Sequence, residues 1–139
     1  MTTFAMVMLE QGVEADLPIS LSEMIGLLDQ VVPRFSHNNY GYELATVSRA
    51  RLGSRWDIGV KLVDRQTGQV IDEPVGCLEV EKTGGQSVSF RVPPRADQDY
   101  PGMAKFDGDG AYYGSLVFHI LNILNDRGLM QLPGRLPTF

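Results

Sequence analysis

Apolar positions along the chain follow two rhythms. Leu21, Met24, Ile25, Leu28, Val31 and Val32 recur at spacings of three and four, with Ser22, Glu23, Asp29 and Gln30 between them. That spacing predicts an amphipathic helix. Ser20 and Glu23 mark its start as a capping box: the Ser20 hydroxyl accepts from the third helical N–H and Glu23 reaches back to the cap. Ile19 and Met24 stand where a hydrophobic staple would pack. Pro33 ends it. From Tyr42 to Val92 the rhythm changes to period two. Leu44 to Leu52 reads as a strand and Gly53-Ser54 as a turn. Trp56, Ile58, Val60 and Leu62 then alternate with Asp57, Gly59 and Lys61, giving a strand with one buried and one wet face. Thr67-Gly68 marks a hairpin before a long run, Gln69 to Lys82, which Pro74 is expected to bend or interrupt. Gly84-Gly85 marks another hairpin, and Val88, Phe90 and Val92 alternate with Ser87, Ser89 and Arg91 as far as Pro93-Pro94. Connections this short imply an antiparallel meander.

The flanks complete the outline. Thr3 to Leu9 is a short apolar run whose length suits a strand buried on both faces, although its Met and Ala would also allow a helix, and Gly12 to Pro18 reads as a connection. Residues 95–110 are polar and glycine-rich and read as a long loop. Ala111 to Asp126 reads as a second helix, with Asp109 as its N-terminal cap and Gly128 as its stop. Its polar residues Ser115, His119, Asn122 and Asp126 form one narrow stripe. Nearly everything else on it is apolar, so it should bury more of its circumference than a surface helix does. Residues 128–139 read as an extended tail docked through its Leu and Phe side chains. The expected fold is α+β: one two-layer domain over residues 1–139, a meander of about five strands with two helices packed on one face. The other face would carry Asp57, Lys61, Glu79, Glu81, Ser87, Ser89 and Arg91 as a solvated surface with cross-strand pairs. This order of elements is similar to that of the helix-grip fold, in which a curved sheet wraps a long C-terminal helix and can enclose an apolar ligand.

Composition narrows the class. Over 139 residues, 43% hydrophobic and 21% charged is ordinary for a soluble globular protein. The net charge of −5 is unevenly placed: residues 1–33 hold Glu10, Glu14, Asp16, Glu23 and Asp29 with no Lys or Arg, and the rest of the chain is neutral. An acidic chain without a basic footprint is a poor partner for nucleic acid or an anionic membrane. No apolar stretch is long enough to span a bilayer, and the apolar N-terminal run lacks the basic residues of a signal peptide. With a single cysteine, Cys77, there is no internal disulfide, and a cytoplasmic location is the default expectation.

No catalytic or metal-binding pattern emerges. Phe106-Asp107-Gly108-Asp109-Gly110 lacks the spacing of a calcium loop and of a dinucleotide fingerprint. Cys77 and His119 could form a nucleophilic dyad only if the fold joined them, and a strand cysteine is ordinarily a small buried hydrophobe. Two histidines far apart, His37 and His119, make no zinc site. The residues therefore weigh against an enzyme, a cofactor or a metal.

Two loops are richer in recognition chemistry. One carries His37, Asn38, Tyr40 and Tyr42; the other carries Arg95, Asp97 and Tyr100. Tyr, Arg and Asn supply contact energy at little conformational cost, although Asn38, Asn39 and Gly41 also serve as turn formers. Arg49, Arg51 and Arg55 form a basic cluster whose expected partners are Glu43 or Asp57. The first functional expectation is a non-catalytic protein-interaction or assembly module that self-associates or holds a protein partner. The alternative is a small-molecule-binding domain with an apolar cavity between sheet and C-terminal helix, which Trp56, Tyr112, Tyr113 and His119 would line or gate.

Overall fold

A computed structural model describes residues 12–37, 40–48, 55–93 and 108–136, with side chains for all of these except 37, 40, 45–48, 72–75 and 108–113. The apolar run Thr3–Leu9 and most of the 95–110 loop lie outside the described residues. In chain order the elements are β1 (Val13–Leu17), α1 (Leu21–Val31), β2 (Ser36–His37), β3 (Tyr40–Ser48), β4 (Arg55–Asp64), β5 (Val70–Gly84), β6 (Ser87–Val92) and α2 (Gly108–Asp126). The strands form one antiparallel sheet in the order β1-β6-β5-β4-β3-β2. This is the expected α+β class, with one strand more than the sequence pattern predicts.

Two local expectations are corrected. Residues 13–17, read as part of a connection, are an edge strand paired with β6. Val13 and Leu17 point into the core while Glu14 and Asp16 face water. Five residues with two acids look like a helix approach in sequence, but the alternation is that of a strand, and acids on an edge discourage further pairing. The 35–42 segment, read as a loop, is mostly hairpin: His37 pairs with Tyr40, and β3 begins there instead of at Leu44. At Pro74 the expected irregularity takes the form of a bulge, and β5 continues through it. Between Val60 and Leu62 the partner on β5 steps from Gly76 to Asp72, so the ladder bulges around the proline, which has no N–H to donate.

Helix ends follow side-chain chemistry. The Ser20 hydroxyl accepts from the Glu23 N–H at 3.1 Å and donates to the Glu23 carboxylate at 3.1 Å, so the capping pair forms, with the carboxylate on the hydroxyl. Val32 caps the other end, next to Pro33. At the end of α2 the Leu129 N–H reaches the Leu124 carbonyl and the Gly128 N–H reaches that of Asn125. This is a Schellman turn, with Gly128 at φ +73 in the left-handed region it requires. The start of α2 differs from expectation: the helix is already formed at Gly108, which puts Asp109 in its first turn and not at the cap.

The core is continuous across sheet and helices. Leu17, Val60, Leu62, Leu78, Val80, Val88, Phe90 and Val92 form one buried cluster with Met24 and Leu28 of α1 and Leu116 to Phe118, Ile120, Leu121 and Leu124 of α2. The polar stripe of α2 is not a wet face. Ser115 and Asn122 are buried, and the C-terminal tail folds back along the stripe. The Asn122 amide donates to the Leu136 carbonyl at 2.9 Å and accepts from the Leu136 N–H at 2.9 Å. Asn125 accepts from the Leu132 N–H, and Asp126 pairs with Arg135. Leu136 is buried, and Leu129, Met130 and Leu132 pack against the core. Among the described side chains, the apolar circumference of α2 is thus largely covered within the chain.

Candidate functional site

Of the residues singled out as recognition chemistry, the side chains described are those of Tyr42 and His119, and both meet Phe35. Tyr42 is fully buried. His119 is half-buried and stacks on Phe35, with ring centroids 4.9 Å apart, and Phe35 lies 5.6 Å from Tyr42. Phe35 therefore joins the β2–β3 hairpin to α2 through rings. Arg65 ties the same corner to the β4–β5 turn by donating to the carbonyls of Pro33 and Phe35. It crosses Gly41 so closely that a Cβ there would fall on its guanidinium. His37 and Tyr40 face each other across the hairpin register, and Tyr112 and Tyr113 lie in the first two turns of α2. Asn38, Arg95, Asp97 and Tyr100 are outside the described residues.

Burial, and secondarily the Arg135 charge, hold His119 below its ordinary pKa of 6.5. Above that pH the imidazole is neutral whether the chain is folded or not. As pH falls through 6.5, the unfolded chain takes up the proton first, so stability is lost toward acid. The urea midpoint should decline from pH 7 to 5, and part of that decline should vanish in His119→Phe.

The polar sheet face is an ion-pair network. Asp57 and Glu79 stand directly opposite each other in the β4–β5 register, an unfavourable pair by itself. Arg55 reaches between them, 2.9 Å from Asp57 and 3.4 Å from Glu79, and Arg91 meets Glu79 from β6 at 2.9 Å. Lys61 pairs with Glu43 at 3.2 Å. The expected Arg55–Asp57 pairing forms, while Arg49 and Arg51 lie outside the described residues. Burial, then Asp57 and Glu79, push the Cys77 thiol above its ordinary range, so it stays protonated and is a poor nucleophile. Asp57 and Glu79 are among its neighbours, while His119 stacks on Phe35. Among the described residues no group of His, Cys, Asp and Glu could hold a metal ion, and no helix is long and apolar enough to cross a membrane.

A concave apolar feature lies elsewhere. α1 meets the sheet mainly at β5 and β6, and among the described residues the apolar face of β3 and β4 beside it stays partly open. A groove of about 740 Å³ runs there, lined by Leu21, Ser22, Ile25, Gly26 and Asp29 of α1 and by Leu44, Trp56 and Ile58 of the sheet. Ile58 forms its buried floor, and Leu21, Ile25, Leu44 and Trp56 are its half-buried walls. Two residues give the groove its character. Gly26 sits mid-helix, where glycine costs about 1 kcal/mol relative to alanine, yet an added Cβ would meet no described atom within 4 Å. Packing does not require that glycine; its effect is width. Asp29 is exposed on the rim and takes part in none of the ion pairs among the described residues.

Of these lining residues, sequence reasoning pointed only to Trp56 as a cavity residue, and placed its cavity against the C-terminal helix. The groove lies against the first. The one signal that could have located it was Gly26, a glycine with no turn to make inside a strongly capped helix. Among the described residues the lining is mostly apolar, with the Ser22 hydroxyl and the Asp29 carboxylate as its polar groups. No known protein family, no curated protein and no solved structure matches the chain, so the groove is interpreted from its own geometry.

Proposed function

We propose that the protein is a non-catalytic protein-binding module and that the groove between α1 and the β3–β4 face is its binding site. The observation that carries this reading is the contrast between the two helices. From Leu116 to Leu124 the apolar side chains of α2 are buried or, at Ile123, partly buried, and the tail covers its polar stripe. α1 leaves Leu21, Ile25 and an unfilled glycine facing half-exposed Leu44 and Trp56. Apolar surface left concave and open beside a rigid sheet is the usual form of a docking groove. The volume favours a second reading, a small-molecule site, because about 740 Å³ lies within the range that accommodates drug-sized ligands.

Trp56 is the only tryptophan, so its emission reports on the groove. A neutral apolar dye should bind and quench Trp56 by energy transfer, and Gly26→Leu should abolish this. Displacement of the dye by polypeptide segments supports the protein-binding reading. Displacement by apolar small molecules alone supports the second. A dye signal unchanged in Gly26→Leu would sink both. Gly26→Ala, which adds one methyl into open space, should raise folding stability by about 0.5–1 kcal/mol in urea denaturation.

A further inference from the structure

No further inference is drawn: the strongest candidate, the apolar groove between α1 and the β3–β4 face, already carries the proposed function, and nothing in the structure shows which segment or partner covers it.

Discussion

Truncating Phe90 to alanine is expected to cost about 3–5 kcal/mol of folding stability. Phe90 is fully buried on β6, between Ala15 of β1 and Val80 of β5 in the register, and belongs to the cluster that also holds Met24 and Leu28 of α1. Neighbours on both sides are held by strand pairing, and Ala15 is too small to fill the vacated space. The cavity should therefore collapse poorly, which places the loss toward the upper end of the range. Phe90→Leu keeps most of the volume and should cost less than about 1.5 kcal/mol. Equilibrium denaturation at 10–15 °C would separate the two variants. A domain of ordinary stability, about 5–15 kcal/mol, should still fold with either. An alanine loss below about 1.5 kcal/mol would mean that β6 is not at the centre of the core.

Asn122→Ala is expected to cost about 2–4 kcal/mol by a different route. The side-chain amide is buried and matches both hydrogen-bonding groups of the Leu136 backbone, as a neighbouring strand would. Removing it leaves a buried N–H and a buried carbonyl without partners, each worth about 1–3 kcal/mol. The tail can limit the damage by letting go and regaining water, so the loss cannot exceed the free energy with which it docks. Amide exchange separates this outcome from general loosening. Leu132 and Leu136 should lose protection sharply, while β5 and β6 amides should change only with global stability. Uniform loss of protection across the sheet would show instead that the tail is integral to the core.

The elements that were legible in the sequence are those whose own side chains determine them. Ser20 and Glu23 cap α1, Thr67-Gly68 and Gly84-Gly85 set hairpins, and Gly128 ends α2. The split between an apolar and a charged sheet face follows directly from alternation in β4 and β6. What escaped notice depends on partners distant in sequence. β1 is five residues long and becomes a strand only because β6 lies beside it, more than seventy residues later. The polar stripe on α2 and a docked tail were both legible, but the pairing of Asn122 with the Leu136 backbone was not. The groove is a property of where α1 does not reach, and only Gly26 carried a local trace of it. Cross-strand pairing on the charged face was foreseeable in kind, but the Arg55 bridge between two facing carboxylates required the register.

The position of β1 at the far side of β6 also sets an order of assembly. β4, β5 and β6 are joined by short turns and can zip up from local contacts, whereas Leu17 must find Val88 across roughly seventy intervening residues. The segment that leaves the ribosome early is therefore among the last to acquire its neighbours. Until β6 emerges, Val13 and Leu17 have no ladder to join and α1 has no β6 to cover. During that interval the acids of the first thirty-three residues, which contribute little to the finished core, keep an unpaired and partly apolar leading segment repelling its own kind.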